Sequence, residues 1–285
     1  MRSWTVSNQT RKPLIIYHAP CADGFTAAWI AWREYGDDAD YLPQGYSDTP
    51  EVPDVDDRIV YILDFCYPID IMREIANRAE HVIVLDHHVS AEKAIDPLLS
   101  EGIIGGEFDM ERSGAGIAWD WFNLDEPRPA LVRHVEDRDL WNFDYPDTKA
   151  INIALFAQPY TFEAWNKYET SVGQLLTDGR AILRKHEKDC RELTSETMYL
   201  TIGGHENIPT VNVNYTYGSD TAAILAHGKP FAAYFWMNKD GMFVFGLRSD
   251  ADYPQAVDVS EIAVNYGGGG HKNASGFRIA SLSDL

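Results

Sequence analysis

The chain has 285 residues, 45% of them hydrophobic, and sets 24 basic against 44 acidic side chains, a formal charge of −20. That balance excludes the basic groove that tracks long duplex nucleic acid, and no run of Lys and Arg interrupts it. No apolar run reaches the roughly 18 to 20 residues of a membrane helix. The opening MRSWTVSNQTRKPLIIYHAP has no apolar signal core with a small-residue cleavage site, so a soluble, cytoplasmic protein is expected, without membrane partners. Cys21, Cys66 and Cys190 are widely spaced and odd in number, which fits a reducing compartment better than a disulfide framework.

The length exceeds the usual size of one core, so two domains are expected. In chain order, PLIIY (13–17), IVYILD (59–64) and VIVL (82–85) are apolar runs of strand length, separated by TAAWIAWREYG and IDIMREIANRAE, which have helical spacing. This βαβ alternation predicts an α/β fold with a parallel sheet, whose ligand sites lie beyond the carboxyl ends of the strands. SGAGIAWDWF and PALVRHVEDRD read as further helices. From about 160 to 198 the pattern is long, polar and helical, as in a connector. Beyond it come MYLTI, TVNVN, and FAAYFWM and MFVFGLR joined by the hairpin signal Asn-Lys-Asp-Gly. A short helix, VSEIAVNY, leads into GGGGHKNASGF. The expected domains are 1–160, a helical connector 161–199, and a smaller α/β domain 200–285. Most of the aromatics, Trp29, Trp32, Trp119, Trp121, Trp141 and Trp236 among them, are expected in cores.

Each of the three N-terminal strands runs out into ionisable residues. His18 to Asp23 follow the first, Asp64 the second, and Asp86, His87 and His88 the third. A single Asp or His at a strand end is ordinarily a helix cap or a surface group. Three consecutive strand ends with histidines among carboxylates instead suit divalent cations, because Mg²⁺ takes oxygen ligands and Mn²⁺ also accepts imidazole. An acid from VEDRD is expected to complete the set.

On these stretches the chain resembles the DHH phosphoesterases, a family that includes RecJ-type exonucleases, nanoRNases, cyclic-dinucleotide phosphodiesterases and exopolyphosphatases. The resemblance rests on HAPCADGFTAA, ILDF, LDHH, VEDRDLW and YGGGGHKNASGF, and spans most of the chain. It implies a DHH domain followed by a DHH-associated domain. His18 and Asp23 then match the first motif, Asp64 the second as the bridge between two metals, and His87 the third. Asp137 matches the fourth, with Asp139 competing for that place. Asp64, Asp86, His87 and His88 form the implied catalytic group, Asp86 and His88 in supporting roles. Where the family commonly carries Asp-x-Asp-Gly, this chain has Cys21-Ala22-Asp23-Gly24, so Cys21 is either a soft metal ligand or a small buried residue.

A glycine run by itself suits a hinge or an ordinary turn, or else backbone with positive φ whose N–H groups approach a phosphate; beside its neighbours the second is the expectation, so Gly268, Gly269, Gly270 and His271 are expected to bind substrate, the second domain closing over the sheet edge. Arg248 is a further phosphate candidate, with an ion pair as the competing account. Arg112 and Ser113, ahead of a helix N-terminus, are weaker ones. The implied cofactor is a pair of Mn²⁺ ions, with Mg²⁺, Co²⁺ or Fe²⁺ as alternatives. The implied reaction is in-line attack on phosphorus by hydroxide held between the ions. The expected substrate is a short single-stranded oligonucleotide or a dinucleotide, cleaved to mononucleotides by a monomer or homodimer. A pyrophosphatase or exopolyphosphatase of the same fold, and a nucleotide-binding protein without turnover, are the alternative readings.

Overall fold

The computed structural model describes residues 11–45, 50–124 and 126–285; the first ten residues of the opening segment lie outside them. The chain divides into two compact units, Met1–Ile182 and Leu183–Leu285. The division falls inside a single helix, Val172–Leu193, within the stretch read as a connector.

The first unit is built on five strands, β1 Leu14–His18, β2 Asp40–Gln44, β3 Ile59–Leu63, β4 His81–Asp86 and β5 Gly105–Phe108. They form a sheet in the order β2-β1-β3-β4-β5, every neighbouring pair parallel. Alternation along the strands puts apolar side chains on both faces, as a parallel sheet covered by helices requires. Ile15, Leu63 and Leu85 enter one core with α1 (Ala22–Tyr35), α4 (Gly114–Phe122) and α5 (Ala130–Asp139). Leu14, Ile16, Ile62 and Val84 enter the other with α2 (Ile69–Arg78) and α3 (Val89–Ser100). The expected α/β class is therefore the observed one. The strand β2 was not legible because it is short, polar and contains Pro43, which is tolerated where β2 sits, at the sheet edge.

The register decides where the chemistry goes. Tyr17 pairs with Leu63 and Leu63 with Leu85, so the residues just beyond them, His18, Asp64 and Asp86, leave the sheet side by side at one edge.

The segment read as a polar connector does more than connect. It forms α7 (Phe162–Thr170) and α8 (Val172–Leu193), following α6 (Thr148–Phe156). Trp165, Tyr168 and Leu175 are buried in the core around α1. The Trp165 indole donates to Thr26 Oγ1 at 2.9 Å and meets Phe25 edge-on at 4.8 Å.

The second unit has a six-stranded mixed sheet in the order β10-β11-β9-β8-β7-β6. Its strands are β6 Met198–Ile202, β7 His205–Asn212, β8 Ala232–Met237, β9 Phe243–Arg248, β10 Gly269–His271 and β11 Ala274–Ile279, with α9 (Tyr215–Ala226) and α10 (Val259–Asn265). β8 and β9 are antiparallel across the expected hairpin, where Asn238 Oδ1 accepts from the N–H groups of Asp240 and Met242 and Gly241 has φ 80°.

Because Trp165 is wholly buried, Trp165→Ala is expected to cost about 3 to 5 kcal/mol in urea unfolding of the protein. Tyr199→Ala, at an exposed site on β6, is expected to stay within about 0.5 kcal/mol. Equal midpoints for the two variants would mean that α7 contributes nothing to the core.

Candidate functional site

The Asp64 carboxylate is the centre of the cluster at the sheet edge. Its backbone N–H still donates to Leu85 O at 2.9 Å, extending the β3–β4 ladder by one residue. The chain then turns with φ 53°, a left-handed conformation that Asp tolerates better than most side chains. The turn leaves the two carboxylate oxygens facing different histidines. His18 Nδ1 lies 3.3 Å from Asp64 Oδ2, and His87 Nε2 lies 3.3 Å from Asp64 Oδ1.

The next carboxylate is supplied by α1. Asp23 is buried, and its Oδ1 accepts the Ala115 N–H at 3.1 Å, at the N-terminus of α4. The positive end of that helix therefore faces a carboxylate of the protein itself. Gly114 is needed there because a Cβ would come within 2.6 Å of Asp64 Cβ and 2.9 Å of Asp23 Oδ2. At the end of α5, Asp139 Oδ2 lies 3.4 Å from His87 Nε2.

Asp86 works one layer behind. Its Oδ1 accepts the His87 N–H at 2.7 Å and the His88 N–H at 3.3 Å, and lies 2.7 Å from His88 Nδ1. It thereby fixes the exit of β4 and the ring of His88.

Donor atoms of Asp23, His87 and Asp139 lie within 4.8 Å of one another, as do those of His18, Cys21 and Asp64, and those of Asp64, Asp86, His87 and His88. These are the spacings of groups that could share a cation. A divalent ion also fits the electrostatics. Asp23 Oδ2 and Asp86 Oδ2 are buried with no hydrogen-bond partner, which is costly for a carboxylate unless something compensates. Burial, then the charges of Asp139 and Asp64, push the Asp23 carboxyl well above the ordinary range. Burial alone would raise Asp64 too, but the hydrogen bonds from His18 and His87 win and hold it well below. His87 is opposed by burial but raised by Asp64, Asp139 and Asp23, to about 10. Burial and the same acids push the Cys21 thiol well up, so its proton would have to leave for it to serve as a ligand.

Of the residues expected at the site, the structure thus brings together His18, Cys21, Asp23, Asp64, Asp86, His87 and His88. At the fourth position it places Asp139 in the cluster and commits Asp137 elsewhere. The Asp137 carboxylate accepts the N–H groups of Asp144 at 2.8 Å and Tyr145 at 3.2 Å, and the Thr148 hydroxyl. Two positions along a helix rotate a side chain by about 200°, so only one of the two acids can face the sheet edge.

Arg112 and Ser113 are also engaged within the protein. Arg112 pairs with Glu107, Asp109 and Asp120. Ser113 Oγ caps α4 by accepting the Gly116 N–H at 3.2 Å, and its own N–H donates to Glu136 Oε2 at 3.1 Å. Glu136, which sequence reading passed over, therefore anchors the helix start that holds Asp23. In the second unit, Arg248 donates to Leu247 O and Ser219 Oγ, each at 2.7 Å. The glycine run becomes the edge strand β10. Gly267 and Gly270 have φ of 74° and 137°, and a Cβ on Gly268 would come within 2.1 Å of Gly276 O. Close packing on β11 thus accounts for part of the run.

No protein-family model matches the chain. An uncharacterized protein of Acanthamoeba polyphaga mimivirus is 28% identical over 302 aligned positions, covering 98% of this chain and 70% of the viral one. Among solved structures, the DHH domain of a member of a ribosomal-protein family is 15% identical with a TM-score of 0.54, covering 93% of this chain and 82% of that one. A pGpG-specific phosphodiesterase from Vibrio cholerae, PggH, is 16% identical with a TM-score of 0.51, covering 96% and 95%. The fold is therefore of the DHH-domain type. Among the described residues, no helix is long and apolar enough to cross a membrane.

The raised His87 has a consequence for the metal-free protein. An imidazole held near 10 rather than 6.5 stabilises the fold fully below pH 6.5, and that contribution is lost as pH rises toward 10. Urea unfolding of the metal-free protein is expected to weaken between those values. Asp64→Asn should flatten the slope; an unchanged slope would show that His87 is not held by Asp64.

Proposed function

We propose that the protein is a metal-dependent phosphodiesterase that hydrolyses short oligonucleotides or dinucleotides to mononucleotides. The observation that carries this reading is the meeting of His18, Asp64 and His87 at one sheet edge, with Asp23 and Asp139 alongside. The DHH-type fold and the likeness to a pGpG-specific phosphodiesterase support it.

In this reading His18, Asp23, Asp64, His87 and Asp139 would hold divalent cations, and the two oxygens of Asp64 face separate histidines. Mn²⁺ suits the mixed oxygen and imidazole donors, and Cys21 beside His18 would tilt that position toward a softer ion. Such ions would supply Lewis-acid stabilisation of a phosphoryl group and acidify a water molecule. The protein's part is to keep the donors in place. The α4 N-terminus fixes Asp23, and Asp86 fixes the backbone at His87 and His88 and the ring of His88. His87 would give up its proton on binding an ion, so metal affinity should rise with pH below about 10. In the second unit, Gly268 to His271, which lead into and form the edge strand β10, are the proposed contact for a substrate phosphate, supported by that strand's place at the edge of its sheet.

The two acids of the fourth motif give a sharp test. Asp139→Asn is expected to lower turnover roughly hundredfold or more and weaken Mn²⁺ binding in calorimetry, with stability nearly unchanged. Asp137→Asn is expected to cost about 1 to 3 kcal/mol of stability, since it leaves buried donors poorly paired, while the metal sites survive. The reverse pattern would return Asp137 to the cluster.

Substrate class is tested by incubating the Mn²⁺-loaded protein with dinucleotides, longer single strands, cyclic dinucleotides and polyphosphate. Fastest turnover is expected on the shortest linear strands. Base-independent hydrolysis of polyphosphate would select a polyphosphatase instead, and tight nucleotide binding without hydrolysis under Mn²⁺, Mg²⁺, Co²⁺ and Fe²⁺ would select a binding protein.

A further inference from the structure

The loop after α5 carries Trp141, Phe143 and Tyr145 at alternate positions. Trp141 and Tyr145 are exposed, Trp141 to 37%. Trp141 has φ 61° and Phe143 φ 55°. Bulky side chains rarely adopt this left-handed conformation, which persists only where the surroundings impose it and which clusters at functional sites.

What imposes it is visible. The Asp137 carboxylate holds the N–H groups of Asp144 and Tyr145, and its main-chain oxygen accepts the N–H groups of Asn142 at 3.0 Å and Phe143 at 3.4 Å. The Trp141 N–H donates to Arg138 O at 3.2 Å. The Arg138 guanidinium lies 4.1 Å from the centre of the Trp141 ring, and the ring meets Phe143 edge-on at 5.1 Å. One side of the indole is thereby supported while the residue stays open to solvent.

The loop is also in the right place. Trp141 lies two residues beyond Asp139, so their Cα atoms are no more than about 7.6 Å apart. Arg138 and Lys149, the latter 4.6 Å from the centre of the Phe143 ring, bring two cations to this edge of a chain whose net charge is −20. An exposed, braced aromatic ring among cations, beside carboxylates spaced for metal, has the chemistry that receives a nucleobase and its phosphate.

We infer that Trp141 is a stacking platform for a nucleobase of the substrate, held in position by Asp137. This rests on the phosphodiesterase reading and deepens it, making the protein selective for phosphoesters that carry bases. It also gives both aspartates of VEDRDLW a task, Asp139 at the cluster and Asp137 beneath the platform.

The test compares wild type, Trp141→Leu, which keeps apolar bulk without a π face, and Trp141→Tyr, which keeps a ring. With Mn²⁺-loaded protein, KM for a dinucleotide is expected to rise roughly five- to a hundredfold in Trp141→Leu, as loss of one base–aromatic stack implies. The turnover number should change far less, Trp141→Tyr should restore most of the affinity, and a base-free sugar–phosphate dimer should not distinguish the three proteins. Independently of turnover, saturation-transfer NMR with a nucleoside monophosphate should show transfer to base protons in wild type and Trp141→Tyr and lose it in Trp141→Leu. If dinucleotide is hydrolysed but both readouts ignore the substitutions, the platform is refuted and the phosphodiesterase reading stands. If no phosphoester is hydrolysed yet the base signal depends on Trp141, the platform stands and that reading falls. Loss of the dinucleotide and the base-free dimer alike would reduce Trp141 to a structural role.

Discussion

A single carboxylate facing two ways organises the chemistry of this protein. Asp64 leaves β3 in a left-handed turn, meets His18 through one oxygen and His87 through the other, and is closely approached by the start of α4. No side chain larger than a hydrogen fits at Gly114, so the helix that steadies Asp23 can come close enough only because that position is glycine. The parallel register of β1, β3 and β4 then determines which residues reach Asp64, since the sheet carries three strand ends to one edge.

Gathering acids in this way is costly for a folded chain. Like charges at short range raise one another's affinity for protons, and burial adds to the effect. The protein offsets part of this cost with the α4 N-terminus on Asp23 and with His87 between Asp64, Asp23 and Asp139. Asp86 receives two backbone N–H groups and still keeps one buried oxygen without a partner. A purely structural network would be expected to pair these oxygens. Their condition is what makes a cation the natural complement of the site.

Around that centre lies a layer of residues that touch no ligand position but set the geometry. Arg112 and Arg128 share Asp120, and Arg128 and the Ser113 N–H both reach Glu136. This network joins β5, α4 and α5 at the place where α4 begins. Arginine here works as a brace: the fork of Arg112 satisfies several carboxylates at once.

The sequence by itself determined the α/β alternation, the hairpin at Asn238 to Gly241, and the stretches that would carry ionisable side chains to strand ends. These are local properties: strand-length apolar runs, helical spacing and turn residues can be read without knowing what packs on what. It left open which acid of VEDRD joins the cluster, because that depends on how α5 is rotated against the sheet, and the tertiary structure gave Asp139 that place and tied Asp137 to the following loop. It also left β2 and the core role of α7 hidden, since a proline-containing edge strand and a polar helix with Trp165 buried on one side gain their identity from neighbours distant in sequence. Residue types and their order fixed the available chemistry; only packing decided which of those groups meet, because contact between side chains far apart along the chain depends on register and rotation that no local pattern encodes.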